Sequence, residues 1–197
     1  METPDAGSYF QKVSSTLQFD QDAAFKFIGV RAFIMSASTI ADLMDDFYLV
    51  LGERFVDARL YLGGKRAGKR TAAALASANQ IDVNDKPTLE KFFADFYAAL
   101  GWAKLEFHLD YASQAGSVIA INSFLAQGAL AKFTARGAAT VVENHTLMPR
   151  CGMLSGYIAG VVSYLFASDV DAHETECIAT NHTACRFEIA PKQMRET

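Results

Sequence analysis

All three cysteines of this 197-residue chain fall in its last quarter, at Cys151, Cys177 and Cys185. Carboxylates and imidazoles stand beside them: His173, Glu174 and Glu176 precede Cys177, and His182 lies in the T-N-H-T stretch before Cys185. Thiolate is a soft ligand, and three sulfurs joined by a carboxylate or an imidazole make a tetrahedral zinc set. The spacing therefore admits zinc, with Glu174, Glu176, His173 or His182 as the fourth ligand. The plainer reading is three buried thiols, since free cysteine is among the most buried residue types. An odd count and an N-terminus without a secretory pattern argue against disulfides.

Three motifs surround these residues. From Cys151 runs C-x4-G-Y-x2-G, through Gly156, Tyr157 and Gly160; E-x-E-C ends at Cys177; C-x7-C-x-F-E-I ends at Ile189. Over roughly 140–190 this pattern resembles the 4-vinyl reductase domain family, which includes stand-alone hydrocarbon-binding proteins, sensor domains of phenol- and xylene-responsive activators and a bacteriochlorophyll-biosynthesis protein. The resemblance implies a fold like that of TRAPP tethering subunits and nitric oxide sensors. It also implies a structural zinc held by Cys151, Glu174, Cys177 and Cys185. Two positions depart from the family pattern. Asn181 stands where a turn glycine is usual, and Asn tolerates the left-handed conformation. Ala167-Ser168 replaces a glycine after the preceding helix.

Composition sets the bounds. With 51% apolar residues in 21.5 kDa the chain can bury one good core, and it is too short for a sensor domain plus a DNA-binding or ATPase module. We expect a frayed segment over 1–15 and one domain over 16–192. A net charge of −4 and a pI near 5.5 argue against a nucleic-acid surface. No window offers the roughly 18 uncharged apolar residues of a membrane span, so a cytoplasmic location is the expectation.

Hydropathy patterning places the elements that must carry the site. Leu17 and Phe19 are the first candidates for burial, and Ala24–Met35 reads as a hairpin. Ile40, Leu43, Met44, Phe47, Val50 and Leu51 repeat at helical spacing between a cap at Ser38 and a stop at Gly52. A second helix follows from about Arg54 to Ala78, with Phe55, Ala58, Leu62 and Leu75 expected inward. Within it, Gly63-Gly64-Lys65 to Thr71 nearly spells a phosphate-binding loop. Arg70 occupies the place of the required hydroxyl and a helix precedes it, so a small-residue helix contact with a solvated basic face is the better reading.

Asp85-Lys86-Pro87 starts a third helix with an aromatic stripe over Leu89, Phe92, Phe93, Phe96, Tyr97 and Leu100, read as core and closed by Gly101. Residues 102–111 and 117–124 alternate with period two around a turn near Gly116, with Ala103, Leu105, Phe107 and Leu109 on the core side. A helix is expected over 125–139, a connection over 141–148, and a helix opened by Pro149 with Cys151 in its first turn, where the helix dipole favours a thiolate. A last hairpin, 170–178 with 183–189, brings Cys177 and Cys185 to either side of its turn. The class is α+β: one antiparallel sheet of four or five strands packed with several helices.

A site filled by four protein ligands has no place for substrate, so the implied zinc shapes a pocket rather than catalysing. Candidate pocket residues are Trp102, Phe107, His108, Phe124, Tyr157 and Tyr164, apolar walls with polar groups able to orient a hydroxyl or carbonyl. A non-enzymatic sensor or carrier of a small hydrophobic or aromatic molecule, acting as a homodimer, is the leading expectation. The alternatives are a vinyl reductase or carrier for tetrapyrroles and a tethering-type scaffold. Against an enzyme, the chain shows no dinucleotide fingerprint and no nucleophile beside a base.

Overall fold

Short, aromatic, β-branched runs open the computed structural model, which describes residues 17–19, 22, 24–27, 30–135 and 148–192. Segment 1–15, residues 136–139 of the helix expected over 125–139 and nearly all of the connection 141–148 lie outside these residues. Strands β1 (Leu17–Phe19), β2 (Phe25–Phe27) and β3 (Val30–Ala32) form an antiparallel three-stranded sheet of their own. The hairpin expected over 24–35 is there. The burial expected of Phe19 is not: it is 75% exposed, while Phe27 stacks on Phe96 of the main core at 5.6 Å.

Helix α1 (Ala37–Leu51) is capped by Ser36, two residues earlier than expected, whose hydroxyl accepts from the Thr39 amide at 3.1 Å. Gly52 ends it in the left-handed region (φ 81°), and α2 (Glu53–Ala78) starts at once. The face of α1 that packs is Ala41, Met44 and Tyr48, whereas Leu43, Phe47 and Val50 of the expected stripe are exposed. The inward face of α2 also differs from expectation. Phe55 and Leu62 are exposed, and Val56, Gly64, Gly68, Ala72 and Leu75 are buried. Small residues define the face because α2 lies backbone to backbone against a later helix, and a large side chain has no room there.

Asp85 caps α3 (Lys86–Ala99) through the Thr88 amide, and Leu89, Phe93, Phe96 and Tyr97 bury its aromatic stripe. Strands β4 (Lys104–Asp110) and β5 (Ala115–Ile121) follow, with Gly116 inside β5 and the turn at 111–114. Next come α4 (Phe124–Ala135) and α5 (Gly152–Phe166). The last hairpin is β6 (Val170–Glu176), a single 3₁₀ turn (Ile178–Thr180) and β7 (Cys185–Pro191).

The four long strands make one antiparallel sheet in the order β4-β5-β7-β6. The class is α+β as expected, its strands shared between two sheets rather than gathered in one. Cross-strand rows fix what each face carries. Leu105, Ala120 and Cys185 form one inward row, and Phe107, Val118, Phe187 and Glu174 the next. His108, Ser117, Glu188 and His173 form a row on the opposite face.

On the inward face lies α5, buried nearly all round through Leu154, Ile158, Val161, Val162 and Leu165. Its outer side receives α2. A Cβ on Gly64, Gly68, Gly156 or Gly160 would collide with the partner helix's backbone at Met153, Tyr157, Tyr61 and Lys65 respectively. Two G-x3-G stripes therefore interlock, which explains the glycines of the motif following Cys151 and those of the near phosphate-loop motif. Lys65, in the middle of that motif, reaches Asp169 (2.9 Å) and Asp171 (2.7 Å), fastening α2 to the start of β6.

Candidate metal centre and aromatic cavity

Cys151 sits at the cap position just before α5, one residue outside the first turn, and its carbonyl accepts the Ser155 amide at 2.7 Å. Cys177 ends the run from β6, and Cys185 begins β7 opposite Ala120. Period two turns Val170, Ala172 and Glu174 inward. A bulge between Glu174 and Glu176 then inserts Thr175, so that Glu174 and Cys177 both face the core although an odd number of residues separates them. Asn181 adopts the left-handed conformation (φ 68°) that the turn requires.

These folds bring Cys151, Glu174, Cys177 and Cys185 together, with one ligand atom from each lying within 4.8 Å of the others. Cys151 Sγ is 3.6 Å from Cys185 Sγ, and Cys185 Sγ is 3.9 Å from Cys177 Sγ. For zinc–sulfur bonds of about 2.3 Å, the edge of a tetrahedron is about 3.8 Å, so the sulfurs already stand at coordination spacing. All three thiols are fully buried. The Cys151 amide donates to Glu174 Oε2 at 3.0 Å, whereas Glu174 Oε1 is buried with no partner among the described residues. Of the other three candidates, His173 is exposed, and Glu176 and His182 face each other across 3.9 Å at the surface.

Electrostatics point the same way. Burial, and then the neighbouring Cys177 sulfur, raise Glu174 to about 8. The Cys151 and Cys185 thiols donate to Cys177 and hold it well below the ordinary thiol range, while Cys151 is pushed well up by giving its proton to that bond. Four acids share one dry space, so their full ionisation needs a cation among them. The donor set fits zinc: three thiolates and a carboxylate, closed to substrate.

Next to this cluster the aromatic residues converge. Trp102 turns inward just before β4, its ring 4.7 Å from Tyr157, 5.5 Å from Phe124 and 5.6 Å from Tyr97. Tyr97, Leu105, Phe107, Leu154, Tyr157, Ile158 and Val161 line a cavity of about 10 Å³, room for roughly one water. The Tyr97 hydroxyl is buried without a partner among the described residues, and burial pushes it far above the ordinary phenol range. Sequence reasoning placed Tyr97 in a core stripe and missed it as a site residue, since nothing in an i, i+3, i+4 pattern tells which aromatic keeps a stranded hydroxyl. Among the sequence candidates, Phe107 and Tyr157 line the cavity, and Trp102 and Phe124 back it. Tyr164 lies two turns further along α5, against Phe93. His108 is exposed on the other face of the sheet, opposite Ser117.

Comparison with known proteins agrees with the motif reading. Residues 142–191, which contain all four clustered side chains, match the model of the 4-vinyl reductase domain, the family to which the motifs show resemblance. No curated protein sequence matches the chain. Among solved structures, the phenol-responsive sensory domain of the transcription activator PoxR with phenol superposes with a TM-score of 0.75 at 16% identity, over 99% of this chain and 94% of that one. A trafficking protein particle complex subunit 3 from Naegleria fowleri, covalently bound to palmitic acid, gives 0.50 at 10% identity over 81% and 98%. A vinyl-4-reductase family protein from Methanocaldococcus jannaschii gives 0.45 at 12% over 82% and 85%. At such identities the first two likenesses establish the fold. Among the described residues, no helix is long and apolar enough to cross a membrane.

Proposed function

We propose that this chain, which matches the 4-vinyl reductase domain across its cysteine cluster, binds a small hydrophobic or aromatic molecule without transforming it, as a sensor or carrier. The observation that carries this reading is the stranded Tyr97 hydroxyl on the wall of an otherwise apolar cavity. A buried polar group with no partner costs on the order of 1–3 kcal/mol, which a ligand's hydroxyl or carbonyl would relieve. Two structural neighbours, one solved with phenol and one with palmitic acid, support a small apolar guest in this fold.

In this reading zinc held by Cys151, Glu174, Cys177 and Cys185 is structural. It ties the start of α5 to the last hairpin, and all four positions are filled by protein, so no substrate reaches it. The cavity holds about one water, so a ring-sized guest enters as side chains of the wall, Tyr157 and Phe107 first, turn aside.

A second copy of the chain is the protein partner we propose. Leu43, Phe47 and Val50 of α1 and Phe55 of α2 are 41–77% exposed, more apolar surface than a lone chain usually leaves in one place. Light scattering should give twice 21.5 kDa, and a monomer would remove the proposal.

Thermal-shift and native mass spectrometry with phenol and other simple aromatics test the ligand reading. A ligand at about 100 times its Kd stabilises the fold by about 2.7 kcal/mol, and a bound mass should appear without turnover. Stabilisation by a partner protein and by no small molecule would favour a scaffold instead. Substrate-dependent consumption of a reductant would favour an enzyme.

A further inference from the structure

Ser123 reaches the cysteine cluster from the middle of the chain, well before the segment that supplies the four clustered side chains. It is completely buried, and its Oγ lies 3.3 Å from Cys151 Sγ. A metal-bound thiolate has no proton to give, so with zinc in place the serine hydroxyl is the donor and the sulfur the acceptor. A buried hydroxyl oriented toward a coordinating sulfur stabilises its charge and sharpens its position, as outer ligands of metal sites do.

The same residue is fixed by the fold on its other side. Asn122, in the left-handed conformation (φ 59°), turns the chain out of β5, and the Ser123 carbonyl accepts the Gln127 amide to begin α4. The next residue, Phe124, donates its amide to the Trp102 carbonyl at 2.9 Å and lays its ring against the Trp102 ring. Trp102 in turn packs on Tyr157 and Tyr97, both on the cavity wall. One dipeptide therefore touches the metal centre with its first side chain and the aromatic wall with its second.

We infer that Ser123 is a positioning residue joining the two sites: its hydroxyl holds the Cys151 thiolate, and through Phe124 it sets where Trp102 stands at the cavity. The inference rests on the zinc reading above. It assigns the β5–α4 junction a role in coupling metal to ligand that the four ligands alone do not describe.

The test compares Ser123→Ala with Ser163→Ala in cobalt-loaded protein. Ser163 is an equally buried serine, bonded to Ala159 and Val170 within the core and away from the cluster, so it reports loss of a structural hydrogen bond. Trp102 is the only tryptophan, so emission reads the wall directly. Ser123→Ala should shift the thiolate-to-cobalt charge-transfer band, release the metal to a chelator about tenfold faster, and move the Trp102 emission, while Ser163→Ala leaves all three as in the wild type. Equal band, release rate and emission in Ser123→Ala and wild type would overturn the inference, as would the same changes in both variants. A wild-type protein that takes up no cobalt or zinc would overturn the metal reading itself, and the inference with it.

Discussion

The ring of Tyr97 meets that of Tyr157 edge-on at 6.1 Å, placing a residue of α3 and a residue of α5 on the same cavity wall. The hydroxyl of the first has no partner among the described residues, and that defect separates stability from binding. Tyr97→Phe should stabilise the ligand-free protein by about 1 kcal/mol, since it deletes a buried unsatisfied group. The same change should weaken any polar-tipped aromatic ligand by roughly tenfold, the loss of one good hydrogen bond. Denaturant titration and calorimetric binding measure the two effects. A variant both less stable and equal in affinity would show the hydroxyl to be structural.

Backbone contact between α2 and α5 gives a sharply uneven glycine scan. Gly68→Ala and Gly156→Ala each push a methyl into the partner's backbone and should cost about 3 kcal/mol or more, at the upper end of overpacking. Gly63, adjacent in sequence to the buried Gly64, looks into open space within the same helix, so Gly63→Ala should gain about 1 kcal/mol from helix propensity. Chemical unfolding of the three variants is sufficient, and a similar small effect at all of them would contradict the interlocked stripes.

Ala167 ends α5 with φ 52°, its amide and that of Ser168 closing the helix on Ser163 and Tyr164 carbonyls. A Cβ in that conformation is strained by roughly 1 kcal/mol. Ala167→Gly should raise stability by about 0.5–1 kcal/mol, seen as a rise of a few degrees in Tm. A fall in Tm would mean that the methyl packs more than it strains.

Lys65 bridges Asp169 and Asp171, and its hydrogen bond is the main cause lowering Asp169. Asp171 is also lowered: partial burial alone would raise it, but bonds from Lys65 and Tyr61 prevail. Carboxyls depressed by folding stabilise above their unfolded value of 3.8, and that contribution is lost as the pH falls through their lower folded values. Lys65→Met should therefore lose about 1 kcal/mol at neutral pH, a modest figure because both carboxylates are half exposed. The gap from wild type should narrow as the pH drops below 3.8. A gap that stays constant with pH would assign the loss to packing of the lysine stem.

Both hairpins of the large sheet, the helix after Cys151 and the convergence of three cysteines were legible because periodicity and ligand chemistry act locally. Selection among four possible fourth ligands was not. It depends on the Thr175 bulge, which shifts the register by one residue and turns Glu174 inward while Glu176 faces out. Large apolar residues misled the reading of α1 and α2, since Phe47 and Phe55 look like core by type and the faces actually buried carry Ala41, Gly64 and Gly68. His108 was drawn to the pocket by its chemistry, although the alternation of β4 already put it on the face opposite Leu105 and Phe107. The match of Ser123 to Cys151 spans 28 residues and carries no sequence signal at all.

The cluster of Cys151, Glu174, Cys177 and Cys185 is tested most directly by counting metal in the purified protein. Native mass spectrometry, backed by elemental analysis, should give about one zinc per chain, and Cys177→Ser should both lose the metal and fail to fold. Folded wild-type protein that contains no zinc and gains no stability on adding it would contradict the account.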